Sequence, residues 1–149
     1  VDFYNATASA ALSSNFFALT EEMSQLAVTQ ALILAAGRGV RMGHRGKSIP
    51  KGFIEVGGQT LIARSLALLA RSGVRDVAIV TGHLADFYEQ LPSVAGVAVT
   101  TLHNSQFAGK GSFESLRVGL AAMRGPFLLL ESDIIYEPRA LATVLGSDH

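Results

Sequence analysis

The chain has 149 residues, 49% of them hydrophobic and 16% charged, and its 12 basic and 12 acidic side chains cancel to a formal charge of zero. That length makes one compact domain, able to hide about 68–70% of the surface its unfolded form exposes. The absence of cysteine excludes thiol catalysis, Cys-ligated zinc, iron–sulfur clusters and disulfides, and leaves a reducing cytoplasm as the simplest compartment to expect. Balanced charge argues against a general nucleic-acid binder, and low charge with high hydrophobicity excludes wholesale disorder.

Residues 1–30 read as a leader. Their composition is small and polar with two aromatic pairs, Phe3-Tyr4 and Phe16-Phe17, and the first basic residue of the chain is Arg38. A signal peptide would need a basic start, and Asn, Ser and Thr interrupt the uncharged stretch from Phe3 to Thr20 too often for a spanning helix, so no membrane span is expected. Two short helices, Ala10 to Leu19 and Thr20 to Val28, fit this stretch, with Ser14 or Thr20 as N-caps.

From Ala31 to the end, residues 31–149, the pattern alternates. Ala31 to Ala35 is a continuous apolar run entering a glycine-rich loop, the mark of a buried parallel strand. Phe53 to Val56 reads as a strand before Gly57-Gly58, and Thr60 to Arg71 as an amphipathic helix that stops at Ser72-Gly73. Asp76 to Val80 is the next strand, Leu84 to Leu91 a short helix before Pro92, and Val97 to Leu102 another strand. Ser112 to Met123 is predicted helical, Phe127 to Leu130 a strand, and Pro138 suits the first position of a last helix through Leu145. Strand and helix alternating at this spacing predict an α/β fold of βαβ units on a mostly parallel sheet, with ligands at the carboxyl ends of the strands.

The chemistry falls at those ends. The loop Leu34-Ala35-Ala36-Gly37-Arg38-Gly39-Val40-Arg41-Met42-Gly43 follows the first strand, and its glycines let backbone N–H groups turn toward phosphate oxygens while Arg38 and Arg41 add charge. It is not a dinucleotide fingerprint, because Met42 occupies the place of the third glycine. Gly46-Lys47-Ser48 ends like a P-loop, but Arg41 stands where the first glycine belongs. A lone Arg or Lys in such a loop is ordinarily a solvated charge.

The ordered set Leu34-Ala35-Ala36-Gly37-Arg38-Gly39, Arg41, and Pro50-Lys51 before Gly57-Gly58 resembles the nucleotidyltransferase family that includes sugar-1-phosphate nucleotidylyltransferases and small-alcohol-phosphate cytidylyltransferases. The resemblance implies a Rossmann-like three-layer αβα sandwich of the nucleotide-diphospho-sugar transferase type. It also implies that the first loop, Leu34 to Gly39, wraps the nucleotide and that Arg41 and Lys51 offset charge on the triphosphate and departing pyrophosphate. A second block, Asn104 to Leu116, is similar to phosphocholine and 2-aminoethylphosphonate cytidylyltransferases; there Gly111 permits close approach of a base or phosphate, and Ser112 either caps the following helix or bonds the nucleotide. A third, Leu128 to Glu137, delivers Asp133 to a strand end. A lone Asp there is often a turn residue, whereas the resemblance makes it the ligand of Mg²⁺, a hard cation suited to oxygen donors.

The implied reaction is transfer of a nucleotidyl group, cytidylyl in the nearest relatives, from a nucleoside triphosphate, CTP above others, to a small phosphate or phosphonate such as phosphocholine or 2-aminoethylphosphonate. Sugar-1-phosphate or molybdopterin acceptors are the alternative within the family. A non-catalytic nucleotide-binding module that self-assembles into a homo-oligomer through its leader and sheet edge is the alternative outside it. Family members continue past the Asp133 region, so the resemblance also implies C-terminal truncation. His44, His83, His103 and His149 lack zinc spacing; His83, after Thr81-Gly82 at a strand end, reads as a surface-loop residue with facing substrate as the alternative, and Phe107, Phe113 and Tyr136 read as core aromatics that are also candidates for contact with an aminoalkyl head group.

Overall fold

A computed structural model describes residues 27–146; the predicted helix Ala10 to Leu19 lies outside the described residues, and of the one predicted over Thr20 to Val28 only Ala27 and Val28 are described, neither of them helical. Among the described residues six strands and five α-helices follow in chain order. They are β1 (Gln30–Leu34), α1 (Arg45–Ser48), β2 (Glu55–Val56), β3 (Gln59–Thr60), α2 (Leu61–Arg71), β4 (Asp76–Thr81), α3 (Asp86–Glu89), β5 (Ala98–His103), α4 (Gly111–Leu120), β6 (Phe127–Glu131) and α5 (Pro138–Val144). Short 3₁₀ turns at Val40–Met42 and Lys51–Phe53 flank α1.

Four strands form one fully parallel sheet in the order β5-β4-β1-β6. The unbroken hydrophobicity of β1 follows from its central place, because both of its faces are covered. Ala31 and Ile33 face a cluster with Ile62, Leu66 and Leu69 of α2, Tyr88 of α3 and Leu141 of α5. Leu32 and Leu34 face the other way, against Leu116 and Val118 of α4. The result is the predicted helix–sheet–helix sandwich. Each of the fully buried Leu and Ile side chains contributes about 1.5–3 kcal/mol relative to exposure.

Local chemistry sets the boundaries. Thr60 Oγ1 accepts from Ala63 N at 3.3 Å to cap α2. Gly73 N donates to Ala70 O and Val74 N to Leu69 O, a Schellman stop that needs the left-handed Gly73, whose φ is 88°. Pro138 is the first residue of α5, as predicted.

Other expectations need correction. Phe53 to Val56 is not a sheet strand: Phe53 lies in a 3₁₀ turn with its ring edge-on to Phe87 and Tyr88 at 5.2 and 5.1 Å, and Glu55–Val56 pairs only with β3 in a separate hairpin. The helix predicted over Leu84 to Leu91 contracts to Asp86–Glu89, since Leu84 adopts a left-handed φ of 56°. Ser112 does not cap α4, because the cap position is Lys110 and the helix already begins at Gly111.

Candidate functional site

The order β5-β4-β1-β6 means that the chain builds outward from β1 through β4 to β5, then crosses to the opposite side of β1 to lay down β6. The carboxyl ends of β1 and β6 therefore lie side by side where the strand order reverses, and the crevice outside such a point is where open parallel sheets hold ligands. Leu34 and Glu131 are paired across it, and Ser132 N still donates to Leu34 O at 3.1 Å.

The glycine-rich loop leaves β1 under tight control. Ala35 N donates to Val80 O at 2.8 Å and His83 N to Ala36 O at 3.4 Å. Gly39 is buried with a φ of 60°, and its carbonyl is so close to Gly46 that a side chain at Gly46 would collide with it. His83 Nε2 lies 2.9 Å from Gly46 O; a carbonyl only accepts, so the proton sits on Nε2. His83 is thus a half-buried tie between the β4 loop and α1 rather than the expected surface-loop residue.

Lys51 and Asp133, 82 positions apart, meet as an ion pair of 2.8 Å between Nζ and Oδ2. Gly52 makes this approach feasible, since a Cβ there would stand 2.8 Å from Tyr88 Oη and 3.4 Å from Ser132 O. Tyr88 Oη is buried beneath the pair without a hydrogen bond of good geometry, and burial pushes the phenol above its usual range. The Glu131 carboxyl is also pushed up, first by burial and then by Asp133, with Lys51 opposing.

The block after β5 is a scaffold for the mouth of the crevice. Asn104 is buried; its Nδ2 donates to Ser115 Oγ at 3.0 Å and its Oδ1 accepts from Gln106 N at 2.9 Å. Phe107 packs on Gly82, where a Cβ would stand 2.6 Å from its own Cβ, between the rings of His83 and His103.

These elements enclose a cavity of about 320 Å³ lined by Leu34, Ala36, Gly37, Arg38, Phe107, Gly111, Ser112 and Glu131, among others. Six of the residues proposed from the motifs are therefore brought together there. Ala35 is buried behind it, Gly39 turns toward Gly46, and Lys51 and Asp133 pair beside it. Arg41 is exposed on its 3₁₀ turn and lines neither this cavity nor its neighbour. That neighbour, about 270 Å³, is lined by Arg38, His44, Gly46, Lys47 and His83 with Val40 and Gly43, a cationic set suited to anionic oxygen. Lys47 and Glu131 were not among the residues the motifs nominate; the Gly46-Lys47-Ser48 near miss was the available signal for the first, and His83, weighed as facing substrate, lines the cationic cavity. Of the aromatic candidates, Phe113 is 78% exposed and not core, while Tyr136 packs against the α2-side cluster.

A larger cavity, about 440 Å³, opens elsewhere, at the amino ends of the strands beside Gln30, Asp76, Ala98 and Arg124. It has no glycine-rich turn, and the physics of parallel sheets places ligands at the other end.

Comparison with known proteins bears on the family and the fold. The family model for the MobA-like NTP transferase domain matches residues 31–147. The chain is 32% identical over 114 residues to the CMP-5'-(3-aminopropyl)phosphonate synthase of Streptomyces rubellomurinus, covering 75% of this chain and 18% of that protein. It is 29% identical over 122 residues to the 2-aminoethylphosphonate cytidylyltransferase of Lancefieldella rimae, covering 74% of this chain and 48% of that one. The solved CTP:phosphocholine cytidylyltransferase of Streptococcus pneumoniae superposes with a TM-score of 0.62 at 26% identity, over 72% of this chain and 45% of its own. The chain thus spans less than half the length of each of these three.

Proposed function

The chain belongs to the MobA-like NTP transferase domain family, and from that premise we propose that it binds a nucleoside triphosphate, CTP above others, in the β1/β6 crevice. The group transferred is the nucleotidyl moiety, and the acceptor is a small phosphate or phosphonate such as phosphocholine or 2-aminoethylphosphonate. The observation that carries this reading is the meeting of the glycine-rich loop, Lys51 and Asp133 at one switch point of a parallel sheet. The names of the relatives supply the preference for cytidine and for aminoalkyl phosphonates.

In the reaction an acceptor oxygen attacks the α-phosphorus, the bond to the bridging oxygen breaks, and pyrophosphate leaves. A phosphate monoester already carries about −1.5 to −2 charges near neutral pH, so it needs no strong base; the difficulty is bringing two anions together. Arg38, Lys47 and Lys51 stand around the loop to offset that repulsion, and the loop N–H groups bind phosphate oxygens without reorganising. The acidic side suits Mg²⁺, which takes one or two carboxylates and completes its shell with phosphates and water. Asp133 would hold it, and the described residues offer no cluster of three or more His, Asp or Glu ligands that would suit a closed protein cage. Bound there, the ion supplies charge neutralisation at the phosphates.

The test is thermal stability with each nucleotide in the presence of Mg²⁺, since a ligand bound only by the folded state raises the melting temperature. CTP is expected to give the largest rise. Equal rises with CTP, UTP, GTP and ATP would remove the cytidine preference, and a largest rise with UTP or GTP would move the reading to a sugar-1-phosphate or molybdopterin acceptor.

A further inference from the structure

We propose that Glu131 selects the nucleoside, its carboxylate accepting a hydrogen bond from the exocyclic amino group of the base or from the ribose 2′-hydroxyl of the bound nucleotide. The inference rests on the reading that the crevice holds a nucleoside triphosphate, and goes beyond it by naming what reads the nucleoside.

Glu131 closes β6, and its register opposite Leu34 puts it on the wall of the 320 Å³ cavity. It is the one carboxylate among the residues lining that cavity, and Arg38 is the one cation. A triphosphate is repelled by the first and drawn to the second, and Arg38 also lines the neighbouring cavity, where Lys47 adds a second cation. The neutral end of the nucleotide is therefore the part left to face Glu131. The surroundings suit a flat ring, with Leu34, Ala36 and Phe107 offering apolar surface and Gly111 leaving its backbone open.

Among the described residues the Glu131 side chain makes no hydrogen bond or ion pair; Lys51, whose charge reaches it, is paired with Asp133. An ionised carboxylate only accepts. The exocyclic amino group of cytosine and the ribose hydroxyls are donors, so both pair with it, whereas uracil presents a carbonyl where cytosine has the amino group and would set two acceptors face to face. An amide side chain at this place turns its N–H₂ toward that carbonyl and removes the distinction.

The experiment measures dissociation constants of CTP, UTP and dCTP by calorimetry with Mg²⁺ present, for the full chain and for Glu131→Gln. The variant is expected to lower the CTP-to-UTP preference by about ten- to hundredfold if the base supplies the donor, or the CTP-to-dCTP preference by that factor if the ribose 2′-hydroxyl does. Either result supports the proposal and identifies the donor. Equal weakening of all three nucleotides, or unchanged ratios, overturns it; a rise in the Mg²⁺ requirement with unchanged ratios would assign Glu131 to the metal instead. Should Glu131→Gln fail to fold, Glu131→Asp keeps the charge and must retain part of the preference. Wild-type chain that binds none of the three nucleotides would bring down the nucleotide reading itself, which is distinct from wild-type binding with ratios that the substitution leaves alone.

Discussion

Lys51 and Asp133 have side chains 28% and 34% exposed, and an ion pair in such a setting contributes about 0–1 kcal/mol to stability. On the function proposed above, its value would lie in what it holds ready: a cation for phosphate oxygen and a carboxylate for a divalent ion, each parked on the other until a nucleotide separates them. Asp133→Asn is accordingly expected to move the melting temperature of the free protein by no more than about 4 °C while abolishing the Mg²⁺-dependent part of the CTP-induced rise. A large loss of stability without ligand would instead make the pair a structural clamp. These two residues were legible in the sequence because each sits in an ordered motif. Glu131 was not, since one carboxylate at a strand end resembles any other until the register sets it beside the glycine-rich loop. His83 was misread for a related reason: its tie to Gly46 spans 37 positions, and no local pattern announces it.

Elements were legible where burial on two faces forced a continuous apolar run, as in β1, or where capping chemistry is local, as at Thr60, Gly73 and Pro138. They were misread where a short run had two explanations. Phe53 belongs to an aromatic cluster and not to a strand, although the pattern alone suits both. Ser112 has the chemistry of a cap but enters α4 two residues after Lys110, the actual cap position. Close packing between elements adds a constraint that propensity does not reveal. Gly119 lies in α4, where Ala would be favoured by about 1 kcal/mol on helix propensity, yet a Cβ there would collide with the side chain of Leu32, which is fully buried. Overpacking of a core costs about 1–3 kcal/mol, so Gly119→Ala is expected to lower stability despite the better helix former. Chemical denaturation measures this directly, and a stabilised variant would show that α4 is free to shift away from β1.

Across the whole molecule, a net charge of zero conceals a strong asymmetry. Residues 38–51 contain Arg38, Arg41, Arg45, Lys47 and Lys51 with no acidic residue, and the fold sets this segment at the carboxyl end of β1, beside the end of β6. The sheet order supplies the crevice and the segment supplies its charge; neither alone would specify a nucleotide site. What has to be located is the bound nucleotide. In backbone amide spectra recorded during titration with CTP and Mg²⁺, the largest shifts are expected on residues 35–41, 109–115 and 131–133, around the β1/β6 crevice. Changes concentrated instead around Gln30, Asp76, Ala98 and Arg124, at the opposite end of the sheet, would contradict that placement, as would no change at any amide.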